Sequence, residues 1–359
     1  MPIGAFTISA ILTAVVRKIA ASAGFVAKPT ADRYHQRVVP LGGGIAIFAT
    51  LAIIMLAAIA AVKLLIIPGR ITWLAESVTI HTAGFLDKTG QLIIVLLCSF
   101  ALFLLGLADD KKPLSPFLKL AVQFAVALIA AGLAEVRVEL FIENKIITTL
   151  LSALWIVLII NAFNFLDNMD GASAGIAVIV STVLFTAAAL SGQVFVGGMA
   201  LIFIGTLLGF LIFNFPPARI FMGDAGSLVV GFFVAILSLR TTYYHQAQNG
   251  HWYPVLLPLI VMAVPLYDFI SVTILRIKSG KSPFVGDTRH FSHRLKKRGL
   301  SDTQTVLTLY LATLATSLGA TILYQVNLAG AVLIFIQTVM VLSIIAVLET
   351  AVENDKTAD

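Results

Sequence analysis

Residues 148–171 have the sequence TTLLSALWIVLIINAFNFLDNMDG, an apolar run that ends abruptly in Asn and Asp side chains. At about 1.5 Å per residue, such a run spans most of a bilayer core about 30 Å thick. Similar runs recur along the 359-residue chain, which is 59% hydrophobic, 12% charged and has a mean hydropathy of +1.00. These runs lack the strict alternation of barrel strands. The sequence therefore predicts an all-α, polytopic integral membrane protein.

Eleven transmembrane helices are predicted, with ten as the alternative because the first segment is short. They cover residues 3–16, 42–66, 91–108, 117–135, 148–165, 172–191, 194–213, 226–243, 254–275, 304–325 and 328–348. Three quarters of the 24 Lys and Arg residues then fall on one side of the membrane. The positive-inside rule makes that side cytoplasmic, with the N-terminus outside and the C-terminus cytoplasmic. Residues 1–359 are predicted to be one membrane-embedded domain, in which residues 276–303 form a large cytoplasmic substrate loop.

Aspartates lie at the ends of several of these segments, all on the predicted cytoplasmic face. They are Asp109, Asp110, Asp167, Asp170 and Asp224. Ionisable groups at membrane segments are costly and commonly functional. Because all five fall on one face, they can belong to one site.

The first pair, Asp109 and Asp110, ends the third segment, where negative charge opposes the helix dipole. A compensating cation is therefore expected, either a neighbouring lysine or a metal ion. Lys119, one turn into the next segment, can reach the lipid headgroups or bind a lipid phosphate.

The next two aspartates, Asp167 and Asp170, follow Asn164 at intervals of three residues. On a continuous helix the three side chains would share one face, which suits a hard cation or a polar ligand. The alternative is that Asp170 only caps the following helix. Asp224 lies between two glycines at a helix start, where backbone amides favour a metal–phosphate group, or it is a simple N-cap.

Two further loops carry candidate phosphate ligands. The glycines of Gly42-Gly43-Gly44 suit either phosphate contact, with His35 shortly before them, or tight helix packing. The histidines of His290-Phe291-Ser292-His293-Arg294 are too few for a usual zinc site. Histidines beside arginine favour phosphate recognition, and a basic membrane-surface loop is the alternative. Asp268, inside the ninth segment, is either a packing residue or has another role.

Composition excludes some classes of site. The single cysteine, Cys98, excludes an intramolecular disulfide and a cysteine-based metal cluster. The net charge of +6 fits basic loops that set membrane orientation, and no nucleic-acid partner is expected. Carboxylates, glycines at helix starts and basic loops together predict a site that binds Mg²⁺ and phosphates at the level of the lipid headgroups. Such a site indicates phosphoryl chemistry.

These motifs, in this order over nearly the whole chain, resemble the polyprenyl-phosphate N-acetylhexosamine-1-phosphate transferases. The matching stretches are Pro40–Gly44, Asp109-Asp110, Asn164–Gly171, Phe221–Ser227 and Asp287–Leu295. The histidine loop is similar to that of the undecaprenyl-phosphate N-acetylglucosamine-1-phosphate transferases, more than to that of phospho-N-acetylmuramoyl-pentapeptide transferase. One departure is Ser292, which stands where the family usually has the first histidine of an adjacent pair.

The resemblance implies an Mg²⁺-dependent enzyme, with Mn²⁺ as a substitute, in the bacterial cytoplasmic membrane with its active site on the cytoplasmic face. It would transfer a sugar-1-phosphate, expected to be N-acetylglucosamine-1-phosphate, from a UDP-N-acetylhexosamine to undecaprenyl phosphate and release UMP. This is the first membrane step of a cell-envelope glycan such as teichoic acid or lipopolysaccharide. Family members often form homodimers, so a homodimer is among the expected assemblies.

The resemblance also implies roles for individual residues. Asp224 corresponds to the Mg²⁺ ligand, and Asp109 is a second metal ligand or, with Asp110, handles the lipid phosphate. Asp167 and His293 complete the predicted catalytic set. The predicted substrate-binding residues are His35, Lys119, Asn164, Asp170, Asn214, Phe221, His290 and Arg294. A transporter or channel with a cytoplasmic Mg²⁺ site is the competing class, and it leaves the histidine–arginine loop unexplained. A non-catalytic lipid-binding scaffold is a third alternative.

Overall fold

The computed structural model describes residues 1–27, 38–70, 79–138, 142–243, 251–280, 282 and 290–350, and within these it is almost entirely helical. The helices are α1 (Pro2–Ser22), α2 (Gly43–Ala61, extended by a π-helical turn Val62–Ile66), α3 (Thr82–Lys111), α4 (Pro116–Leu133), α5 (Lys145–Leu166), α6 (Ala172–Leu190), α7 (Val194–Asn214), α8 (Asp224–Arg240), α9 (Leu257–Val261), α10 (Ala263–Lys278), α11 (Phe291–Lys297), α12 (Asp302–Thr321) and α13 (Leu328–Thr350). A 3₁₀ turn, Tyr253–Leu256, precedes α9, and strands β1 (Val26–Ala27) and β2 (Val39–Pro40) pair antiparallel.

A polytopic membrane protein is confirmed, whereas the number of eleven spans is not. Among the described residues, eight helices are long and apolar enough to cross a membrane, or nine if Tyr253–Val261 and Ala263–Lys278 form one span bent by 63°. The first helix covers Pro2–Ser22 and is therefore long enough to span, unlike the short segment predicted from sequence. The predicted segments 226–243 and 304–325 correspond to α8 and α12, which fall outside this set.

Helix α8 is the central helix of the bundle and packs against α2, α3, α5 and α6. Every residue from Ala225 to Ser238 is buried. Because the whole circumference is covered by neighbouring helices, α8 lies inside the bundle rather than facing lipid. The N-terminus of α8, with Asp224 as its first residue, is thereby held where the neighbouring helices end.

Glycines allow the close approach of α8 to its neighbours. A Cβ added to Gly106 on α3 would lie 2.4 Å from the Ala225 amide nitrogen, and one on Gly44 would lie 2.3 Å from that of Gly226. Small residues at helix crossings in membranes let backbones pack this closely.

Gly106→Ala is therefore expected to destabilise the protein by about 1–3 kcal/mol, because a rigid backbone would have to move. It should also lower turnover, because α8 carries Asp224. Gly90 on the same helix has open space around its Cβ position, so Gly90→Ala is the matched control. Thermal unfolding in detergent measures both variants, and equal behaviour of the two would contradict the packing role of Gly106.

Candidate active site

The adjacent carboxylates at the end of α3 have different partners. Asp110 accepts hydrogen bonds from the backbone N–H groups of Asp224 at 2.8 Å and Ala225 at 3.1 Å. It therefore supplies the negative charge that stabilises the N-terminus of α8. The helix itself starts after Gly223, which makes no side-chain cap, so the reading of Asp224 as a simple N-cap is wrong.

Asp109 faces α4. Its Oδ1 accepts the Leu114 N–H at 2.7 Å, and its Oδ2 lies 2.9 Å from Nζ of Lys119. Lys119 is thus a cationic partner of the first carboxylate, for which the sequence had predicted a neighbouring lysine or a metal ion. Lys119 lies in the first turn of α4. The start of that helix is fixed by Ser115, whose side chain accepts the Leu118 N–H.

Lys119 also joins the third carboxylate to this pair. Its Nζ lies 3.4 Å from Oδ2 of Asp224, and Asn164 donates from Nδ2 to the other Asp224 oxygen at 3.2 Å. The same Asn164 nitrogen lies 2.8 Å from Oγ of Ser227, one turn into α8. A continuous polar network therefore runs from Asp109 through Lys119 and Asp224 to Asn164. Ser227 belongs to it, although the sequence had indicated it only as part of a motif.

The turn after α5 separates residues that were predicted to share a helix face. The helix ends at Leu166, and Asp170 lies beyond it, accepting the Ala218 N–H at 2.8 Å. The predicted common face of Asn164, Asp167 and Asp170 is therefore wrong. The alternative cap is wrong as well, because Gly171, with φ of +74°, occupies the N-cap position of α6.

Asp167 lies close to three other carboxylates. Burial raises the pKa of its carboxyl well above the ordinary value, and repulsion from Asp224, Asp110 and Asp170 raises it further, against one backbone hydrogen bond from Gly223. Carboxylates that raise one another's pKa lie close together and favour binding of a cation.

Asn214 and the triple glycine connect backbone segments. Asn214 is buried, accepts the Gly171 N–H at 3.0 Å and donates to the Ile220 carbonyl at 3.0 Å. Its side chain therefore links two turns by hydrogen bonds.

The amides of Gly43 and Gly44 donate to the carbonyls of Phe221 and Met222, both at 2.9 Å. The packing interpretation of these glycines is therefore correct, and both amides are already used within the protein. Phe221 itself is partly exposed.

The histidine loop packs against α10. Asp268, which is 1% exposed, lies 3.0 Å from Nδ1 of His290 and accepts the Phe291 N–H at 2.8 Å. Sequence reasoning left this aspartate open, because nothing in its apolar surroundings indicated a partner more than twenty residues away.

The other residues of the loop are also anchored. Ser292 donates to the Asn168 side chain, which ties the loop to the turn after α5. His293 is buried, and Arg294 donates to Ser271 at 3.1 Å. His35 and residues 283–289 lie outside the described residues.

A largely apolar cavity of about 320 Å³ opens beside the polar network. Lys119, Asn164 and Asp224 lie among its lining residues. Its apolar lining includes Leu120, Phe124, Val157, Leu158, Leu228 and Phe269. One space thus places a cation and a carboxylate beside a hydrocarbon surface. Within the described part of the chain, no three His, Cys, Asp or Glu side chains are grouped closely enough to hold a metal ion by themselves.

Comparisons with known proteins identify a family and several relatives. The family model described as glycosyl transferase family 4 matches residues 92–242, which contain the network. A Bacillus subtilis protein, "Probable undecaprenyl-phosphate N-acetylglucosaminyl 1-phosphate transferase", is 30% identical over 96% of this chain and 90% of its own. A Mycobacterium tuberculosis "Decaprenyl-phosphate N-acetylglucosaminephosphotransferase" is 31% identical over 83% of this chain and 76% of its own.

A Salmonella typhi "Undecaprenyl-phosphate alpha-N-acetylglucosaminyl 1-phosphate transferase" is 27% identical over 86% of this chain and 79% of its own. The similarity to these relatives thus extends over most of each chain. The protein belongs to the polyprenyl-phosphate N-acetylhexosamine-1-phosphate transferases of glycosyl transferase family 4.

Proposed function

We propose that this protein transfers N-acetylglucosamine-1-phosphate from UDP-N-acetylglucosamine to a polyprenyl phosphate and releases UMP. The observation that carries the proposal is the position of Lys119 and Asp224 at an apolar cavity. A polyprenyl phosphate combines a hydrocarbon tail with an anionic head, and this space offers a surface for each. The printed names of the relatives supply the sugar and the class of acceptor.

Mg²⁺ fits the donor set of the site. Protein-bound Mg²⁺ is usually held by one or two carboxylates together with substrate phosphates and water, and it does not require three grouped protein ligands. Asp224 and Asp109 would hold it, because both carboxylates face the same Lys119 ammonium group. When bound, the ion neutralises charge on the diphosphate and eases the departure of UMP.

The reaction is a displacement at phosphorus. An oxygen of the lipid phosphate attacks the β-phosphorus of the UDP-sugar, and the bond from that phosphorus to the bridging oxygen breaks, with its electron pair leaving on UMP. A phosphate monoester has a second pKa of about 6, so the nucleophile is largely ionised near pH 7 and needs no strong base.

The protein's own residues therefore serve mainly to position and neutralise the reacting groups. Lys119 binds the lipid phosphate, while Asn164 orients Asp224. Asp110 holds the N-terminus of α8 in place. We propose direct displacement rather than a covalent route through an aspartate. A phospho-aspartyl species trapped with UDP-sugar alone would contradict direct displacement.

The site faces the cytoplasm of a bacterial inner membrane in this proposal, as the distribution of Lys and Arg supports. The product would start a cell-envelope glycan. A homodimer is part of the proposal, and light scattering in detergent tests it.

The direct test measures UMP release by the purified protein from a panel of UDP-N-acetylhexosamines with undecaprenyl phosphate. We expect release with UDP-N-acetylglucosamine, dependent on Mg²⁺ and supported by Mn²⁺. Preference for another UDP-N-acetylhexosamine would correct the sugar, and release unaffected by chelators would remove Mg²⁺ from the proposal. If a folded preparation turned over none of these UDP-sugars, the proposal that the protein is a sugar-1-phosphate transferase would be contradicted.

The cavity itself can be tested by filling it. Leu158→Trp should raise KM for long-chain polyprenyl phosphate at least about tenfold, since a larger side chain takes the place of the tail. The KM for the nucleotide sugar should stay unchanged. Leu151 is exposed on the same helix outside the cavity lining, so Leu151→Trp is the matched control. An unchanged lipid KM in Leu158→Trp would place the tail elsewhere.

A further inference from the structure

We infer that Asp268 is a positioning residue that fixes the tautomer and orientation of His290. Both of its oxygens are used by the same loop. One lies 3.0 Å from Nδ1 of His290, and the other accepts the Phe291 N–H at 2.8 Å. Asp268 and His290 are 1% and 5% exposed, so water competes little for these bonds.

The contact determines which ring nitrogen carries the proton. An ionised carboxylate only accepts hydrogen bonds, so Nδ1 of His290 must be the donor. The neutral ring then has its lone pair on Nε2, for which the structure gives no hydrogen-bond partner among the described residues. Nε2 can then accept a hydrogen bond, while Asp268 holds the ring from the Nδ1 side. Carboxylates that orient functional histidines commonly act in this way.

The histidine held in this way lies beside the proposed active site. Its ring packs edge-on against Phe165, with centroids 5.6 Å apart. Phe165 lines the cavity next to Asn164, which donates to Asp224. The centroid of the His293 ring lies 6.1 Å from that of His290. Asp268 is thus connected to the cavity through His290 and Phe165, and its chain neighbour Phe269 also lines the cavity.

Asp268→Asn replaces one of the two acceptor oxygens by an NH₂ donor. The Asn oxygen must accept the Phe291 N–H, so its NH₂ group faces Nδ1 of His290. Two donors cannot pair, and the proton of the ring should move to Nε2. We expect turnover to fall about 10- to 100-fold, a usual loss for a residue that orients a functional histidine. Asp268→Glu keeps two acceptors and should recover part of the activity.

The first experiment is ¹⁵N NMR of the histidine-labelled protein, with His290 assigned among the six histidines by its loss in His290→Gln. We expect the proton on Nδ1 in the wild type and on Nε2 in Asp268→Asn. A wild-type ring protonated on Nε2 alone would overturn the inference, even if no Asp268 variant folds.

The second experiment rests on the proposed function and is a double-mutant cycle. Asp268→Asn should cost turnover in the wild-type background and almost nothing in His290→Gln. An equal loss in both backgrounds would show that Asp268 does not act through His290. Asp302→Asn, a change at a half-exposed aspartate that pairs with Lys296, is the matched control and should leave turnover unchanged. Failure of the wild type to turn over would contradict the proposed function instead, and the NMR result would stand independently.

Discussion

Asp224→Asn is expected to abolish sugar-1-phosphate transfer while leaving the fold intact. The carboxylate lies 3.4 Å from the Lys119 ammonium group and accepts from Asn164 at 3.2 Å. An Asn side chain has the same shape and can still accept from Asn164, but it lacks the charge that a metal ion requires. We expect turnover to fall about 10³-fold or more, as when a group that stabilises transition-state charge is removed.

The measurement compares UMP release with thermal unfolding for the same preparation. Asp87, with a 74% exposed side chain on α3, provides the control variant Asp87→Asn, which should match the wild type in both. Turnover of Asp224→Asn within about threefold of the wild type would contradict the metal role of Asp224. A non-catalytic scaffold predicts instead that neither the folded wild type nor the folded variant releases UMP.

Asp167→Asn is expected to lower turnover about 10²-fold and to raise thermal stability. The charged form of Asp167 is disfavoured in the folded protein, because burial and three neighbouring carboxylates raise its pKa. The neutral amide removes that repulsion, and its oxygen can still accept the Gly223 N–H.

The stability that Asp167→Asn gains over the wild type should depend on pH. A carboxyl with a raised folded-state pKa contributes stability below its unfolded pKa, about 4, and loses that contribution as the pH rises through the folded-state pKa. The advantage of Asp167→Asn over the wild type should therefore grow as the pH rises above about 4. Thermal unfolding from pH 4 to pH 8 in chelator measures it. A variant less stable than the wild type at pH 8 would contradict the electrostatic account.

The membrane helices could be predicted from sequence because length and hydropathy determine them locally. The run from residue 148 to 165 lies within α5, which covers Lys145–Leu166. The bend between Val261 and Ala263 could not be predicted in this way, because the apolar run continues through it. The role of α8 as the central helix also depends on its neighbours, whose glycines come from distant segments.

The sequence indicated which residues belong to the candidate site. It indicated much less about which partner each of them contacts. Charge distribution placed the aspartates on one face, and Asp109 and Asp224 do both contact Lys119. Adjacent helical side chains point in different directions, so different partners for Asp109 and Asp110 are expected. The identity of those partners could not be predicted, because Lys119 and the start of α8 are brought to them by the fold. Asp268 carried no signal because its partner, His290, is brought to it only by the fold.

Transfer of isotope from UDP-N-acetylglucosamine carrying ³²P at the β-phosphate tests the central claim most directly. The purified protein in lipid nanodiscs, with undecaprenyl phosphate and Mg²⁺, should move the label into the lipid fraction and release unlabelled UMP. The labelled lipid should disappear in Asp224→Asn. Label left in the water-soluble nucleotide, with UDP as the product or with no product from a folded protein, would contradict sugar-1-phosphate transfer at this site.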